Sequence, residues 1–145
     1  MKLSTDEKHR LISAAVSART NAYAPYSRFK VGAAVMASSG RIYSGAYVEN
    51  ASYPCGICAE RNAIAHAAAE GERVILAVAL TGGPEDKHAA KEAQDYCTPC
   101  GICRQFMREF ADPAELIVIS ARSETDYRER TLEQLLPESF GPDSM

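Results

Sequence analysis

The sequence predicts an α/β fold in which a mixed sheet is covered by helices. Three observations point there. The chain has 145 residues, the length of a single domain, read as residues 1–145. Its apolar share of 46% and charged share of 24% suit a globular protein and not a disordered one. Helical and strand patterns follow in the order α-β-β-α-β-α-β, and the late alternation of strand and helix favours a helix-covered sheet.

Each element carries its own signal. Ser4-Thr5-Asp6-Glu7 reads as a capping box, with Ser4 as N-cap and Glu7 three residues on. Leu11, Ala15, Ala18 and Ala22 recur behind it at helical spacing, and Ile12 and Val16 widen the stripe. Residues 23–27, with Pro25, end that helix. Residues 31–37 and 41–49 read as strands of a hairpin around the turn Ser38-Ser39-Gly40. The Ala-rich stretch 58–70 is a helix stopped at Gly71. Residues 74–81 form a buried strand, and 82–96 a loop or a short exposed helix. A helix over 100–110 ends near Asp112-Pro113, a strand covers 116–121, and 131–136 is a short final helix.

Charge and hydropathy exclude several functions. Lys and Arg total 16 against 19 Asp and Glu, a net charge of −3. Such a chain has no broad attraction for phosphate backbones or anionic lipid, so no nucleic-acid polymer and no membrane is expected as a partner. The longest strongly apolar run, 74–80, is seven residues, against about 20 for a membrane span. The first residues hold no apolar signal core, so a cytoplasmic protein is expected.

The five cysteines, Cys55, Cys58, Cys97, Cys100 and Cys103, carry the chemistry. An odd number in tight clusters, without a secretion signal, argues for metal binding or catalysis over disulfides. Pro54-Cys55-Gly56-Ile57-Cys58 recurs as Pro99-Cys100-Gly101-Ile102-Cys103, each copy opening a helix. Helix N-termini stabilise thiolate, the form that binds metal. Cys58, Cys100 and Cys103 can therefore hold a tetrahedral Zn²⁺ with its fourth position open to water, the catalytic pattern. Glu60, two residues after Cys58, can exchange protons with that water. Arg61 can offset the excess negative charge by hydrogen-bonding the sulfurs.

Three other readings of the cysteines stand beside this one. Cys55, Cys58, Cys100 and Cys103 form two C-x-x-C pairs that suit a structural zinc site, although the 41 residues between the pairs exceed the usual ribbon spacing and leave Glu60 without a role. A redox C-x-x-C lacks the thioredoxin-like context. The thiols can also be small buried hydrophobes.

At these residues the chain resembles the small homotetrameric cytidine deaminases. The likeness runs from about Tyr26 to Gly141 and rests on several segments in order. They are Pro25-Tyr26-Ser27-Arg28-Phe29-Lys30-Val31-Gly32-Ala33, Val48-Glu49-Asn50-Ala51-Ser52-Tyr53-Pro54, Cys58-Ala59-Glu60-Arg61-Asn62-Ala63-Ile64, the second cysteine motif continued by Arg104-Gln105, and Leu135-Leu136-Pro137-Glu138-Ser139-Phe140-Gly141. The zinc-deaminase signature pairs P-C-x-x-C with a distant ligand two residues before a Glu. The resemblance implies a three-layer fold with a mixed five-stranded sheet. It implies one zinc per subunit on Cys58, Cys100 and Cys103, with Glu60 as proton shuttle. The Ala59 backbone would hold the pyrimidine carbonyl, Phe29 would line the base pocket and Glu49 would bind the ribose. Phe140 would cover the pyrimidine of a neighbouring subunit in a homotetramer. The implied activity is hydrolytic deamination of cytidine or 2′-deoxycytidine in pyrimidine salvage. A deaminase of a modified or N4-substituted cytosine nucleoside is the alternative enzyme, and a zinc-stabilised binding protein the alternative outside enzymes.

The chain departs from that pattern at three places. Tyr47 stands where the family has Asn, two residues before Glu49 and on the same strand face, so sugar recognition is expected to differ. Cys55 replaces an apolar residue, and the 82–96 connection is long. Cys97 is expected as a neutral packing residue. His9, His66 and His88 are expected on solvated or packed faces. Arg104 and Gln105 are expected to buttress the site.

Overall fold

The computed structural model describes residues 2–85 and 96–145. These residues form four α-helices and one five-stranded sheet. The elements are α1 (Thr5–Arg19), β1 (Phe29–Ala37), β2 (Ile42–Ala46), α2 (Ala59–Ala69), β3 (Ile75–Pro84), α3 (Gly101–Glu109), β4 (Ile117–Ala121), β5 (Tyr127–Thr131) and α4 (Leu132–Leu135). The strand order is β2-β1-β3-β4-β5. Only β3 and β4 run parallel, joined across a connection that contains α3; the other neighbours are antiparallel.

Strand alternation divides the core into two layers. Ala34 and Met36 of β1 face Leu11, Ile12 and Ala15 of α1. Ala33 and Val35, one residue out of phase, face Ile64 of α2 and Met107 of α3. Glycines let the helices sit close. A Cβ at Gly32 would lie 2.2 Å from the Ala15 carbonyl oxygen of α1, and one at Gly45 2.4 Å from the Ala63 nitrogen of α2. Even an alanine at either position would push a helix off the sheet. Arg19 fastens the end of α1 by donating to the Lys30, Gly83 and Pro84 carbonyls.

Ser4 and Glu7 form the expected capping box, and the hairpin turns at Gly40 with φ 90°. Several boundaries differ. α1 stops at Arg19, so Ala22 lies beyond it, and Val16 is 43% exposed, which leaves a narrower stripe. β2 ends at Ala46, because Val48 turns to isolated bridges with Tyr23 and Ile57. β3 continues to Pro84, opposite Phe29, so residues 82–84 are strand and not loop. The remainder of that expected loop or helix, 86–95 with His88, lies outside the described residues. β5 had no sequence signal of its own: Tyr-Arg-Glu-Arg-Thr is a polar edge strand, and charge is a common guard against edge pairing. His66 packs as expected, edge-on to Tyr43. Among the described residues no helix is long and apolar enough to cross a membrane.

Candidate active site

Two helix starts meet at one end of α2 and α3. Cys58 is the N-cap of α2 and Cys100 the N-cap of α3, both with extended backbone. Cys103 follows on the first turn of α3 and is fully buried. The three Sγ atoms lie within 4.8 Å of one another. Cys58 and Cys100 are 3.9 Å apart, and Cys100 and Cys103 are 3.5 Å apart. A tetrahedral zinc with bonds of about 2.3 Å needs sulfur spacings of about 3.8 Å. Cys55 is exposed on a short 3₁₀ turn, Tyr53–Cys55, and is not part of this cluster.

The charges of the site call for a cation. The Cys58 thiol is drawn down to about 5 by a hydrogen bond from Cys103, aided by Arg61 and Cys100. The Cys103 thiol is pushed far up by its bond to Cys58, by burial and by Glu60. One thiolate thus forbids its neighbour, and a divalent cation is what lets three ionise together. Arg61 supplies part of the compensation: its Nη2 reaches Cys58 Sγ at 3.7 Å and the Gly56 carbonyl at 3.4 Å. Its Nε is buried and, among the described residues, has no hydrogen-bond partner. The spacing and the donor set fit zinc.

Glu60 is the second residue of α2 and is 3% exposed. Burial raises its carboxyl above the usual range, and the Cys58 charge adds to this. It faces a cavity of about 370 Å³ that also touches Phe29, Tyr47, Glu49, Cys58, Ala59 and Cys100. Seven of the ten residues named from the sequence therefore share one space, while Cys103 lies beside Cys100 and Arg61 beside Cys58. Phe140 is not in its wall and is 61% exposed. Ser27, Val31, Cys97 and Thr98 line the cavity without having been expected there. Val31 was legible, because it shares a strand face with Phe29. Cys97 is a neutral packing residue as expected, since burial lifts its thiol to about 12 and it packs against the core, and it also forms part of the cavity wall. Gly82 makes room for it: a Cβ there would lie 2.9 Å from Cys97 Sγ.

Glu49 lines the same cavity and is 3% exposed. Its Oε1 accepts the backbone N–H of Tyr26 at 2.8 Å and of Ser27 at 3.0 Å. Its Oε2 accepts the Tyr47 phenol at 3.1 Å. Burial would raise this carboxyl, but the bonds from Ser27, Tyr26 and Tyr47 outweigh it and hold it low. The phenol is raised in turn, by burial and then by its bond to Glu49. Arg104 buttresses as expected, donating to the Pro99 and Leu135 carbonyls at 2.8 and 2.7 Å.

Residues 5–120 match the family model of the cytidine and deoxycytidylate deaminase zinc-binding region. The chain belongs to this deaminase family. It is 39% identical over 139 residues to a cytidine deaminase of Halalkalibacterium halodurans, covering 96% of this chain and 98% of that protein. Crystal structures of cytidine deaminases are similar throughout. That from Burkholderia pseudomallei has a TM-score of 0.79 at 42% identity, covering 91% of this chain and 98% of its own. That from Mycobacterium leprae has 0.73 at 37%, covering 94% and 100%. The five-stranded, three-layer architecture expected from the resemblance is the one observed, and the zinc-binding character of the family agrees with the sulfur cluster.

Proposed function

We propose that this deaminase hydrolyses cytidine and 2′-deoxycytidine to the uracil nucleosides and ammonia, as a step of pyrimidine salvage. The observation that carries the reading is the shared cavity: two sulfurs of the cluster, the buried Glu60 and the Tyr47–Glu49 pair line one space of about 370 Å³. Cys58, Cys100 and Cys103 would hold zinc, which when bound supplies a Lewis acid that makes water acidic near neutral pH.

The chain's own residues do the rest. Glu60 takes a proton from water as the oxygen adds to C4 of the pyrimidine. It delivers that proton to N3 and then carries the remaining proton of the added oxygen, from the C4 hydroxyl, to the amino group. The C4–N bond then breaks, ammonia leaves and the C4 oxygen remains as the carbonyl. The high carboxyl of Glu60 suits both accepting and donating. The Ala59 N–H, the first of α2 and free of an intrahelical partner, binds the ring carbonyl. Phe29 packs on the base.

Glu49 and Tyr47 receive the sugar. Both lone-pair directions of Glu49 Oε1 are used by backbone amides, so a sugar hydroxyl must donate to Oε2. Tyr47 spends its proton on Glu49 and so offers an incoming hydroxyl an acceptor. Phe140 would cap the cavity of a neighbouring copy, in a homotetramer whose sites are shared. Its exposed ring and the apolar groove along Ile102 and Phe106 of α3 support assembly. A reducing cytoplasm suits a site of free thiols.

The test is ammonia release from cytidine, deoxycytidine, cytosine and an N4-substituted cytidine, with zinc measured on the same sample. Release from the first two with one zinc per chain is expected. Stoichiometric zinc without ammonia from any of them would overturn the reading.

A further inference from the structure

Side chains of α3 grip the segment that carries Phe140. Gln105 Nε2 donates to the Phe140 carbonyl at 2.9 Å. Arg108 Nε donates to Ser139 Oγ at 2.8 Å, and its Nη2 pairs with Asp143. Arg108 is 7% exposed, and a buried guanidinium is costly unless paired. Its carboxylate partner nevertheless sits on the surface, on the segment being held. Gly141 lies flat against the guanidinium: a Cβ there would be 2.4 Å from Arg108 Cζ. Just upstream, Glu138 adopts a φ of 52°, which L-residues disfavour and which needs the surroundings to hold it. The backbone around Phe140 is thus pinned on both sides, while its ring projects outward.

We propose that Arg108 and Gln105 are positioning residues that fix Phe140 so that its ring enters the substrate cavity of a second copy of the chain. The inference rests on the capping role given to Phe140 above. The first turn of α3 carries Cys103 and its N-cap is Cys100, so one rigid helix sets both its own sulfur cluster and the ring it lends. Pinning the backbone beforehand reduces the ordering cost of docking the ring.

A double-mutant cycle tests this. Arg108→Met and Gln105→Ala are each made alone and in a Phe140→Ala background. Zinc content, kcat and KM for cytidine are measured on the assembled enzyme. Alone, Arg108→Met should raise KM about tenfold and Gln105→Ala about threefold, with zinc unchanged and kcat within about twofold. In the Phe140→Ala background both factors should shrink below about twofold, because nothing remains to be positioned. The same factors in both backgrounds would overturn the proposal while leaving the cap intact. An unchanged KM in Phe140→Ala alone would overturn the cap and this proposal with it. Gln105 is on the surface, so its cycle decides the matter even if Arg108→Met does not fold.

Discussion

The same five residues, Pro-Cys-Gly-Ile-Cys, occur at 54–58 and at 99–103, and they fold differently. In the first copy the leading cysteine sits exposed on a 3₁₀ turn, and only Cys58 reaches the helix start. In the second the leading cysteine is itself the N-cap, so both thiols join the cluster. The helix begins three residues earlier relative to the motif. A tertiary contact makes the difference. Ile57 exchanges two backbone hydrogen bonds with Val48, at 2.9 and 3.0 Å, and is held extended. Among the described residues Ile102 makes no such bridge, and it lies within α3. Local sequence offers a helix start at either cysteine; the bridge to Val48 selects which is used.

Substitutions can sharpen this contrast. The largest effect is expected from Cys103→Ala, which should lose bound zinc and lower Tm by more than about 10 °C, since metal binding and folding are coupled. Metal analysis and calorimetry on one sample would show it. Ile57→Pro removes the N–H given to Val48 and should cost about 1–3 kcal/mol in denaturant unfolding. A change below about 0.5 kcal/mol would mean that the bridge does not hold the first motif in place. Tyr47→Phe deletes the phenol beside Glu49 and should change the preference for cytidine over 3′-deoxycytidine by about two- to tenfold in kcat/KM. The smallest effect belongs to Cys55→Ala: zinc retained in full and stability within about 0.5 kcal/mol. Loss of zinc there would restore the two-pair structural site.

Short-range signals in the sequence were the readable ones. The Ser4 capping box, the turn at Gly40 and the thiols at helix starts each depend on neighbours a few residues away. Tyr47 and Glu49 were placed on one face by strand period, although β2 itself ends before them. The features that escaped depend on distant partners. β5 is polar, and only pairing with β4 makes it a strand. Cys97 becomes cavity wall because Gly82, distant in sequence on β3, leaves space. The grip on Phe140 joins residues more than thirty apart.

The central claim is that the sulfur cluster binds the metal while Glu60 moves the protons. The direct measurement is zinc content and ammonia release on Glu60→Gln. The variant keeps all three thiols and an amide of equal size but has no exchangeable carboxyl proton. We expect zinc at the wild-type level, an unchanged fold, and kcat lower by about 10²–10⁴-fold. Near-native ammonia release from a fully zinc-loaded Glu60→Gln would contradict it.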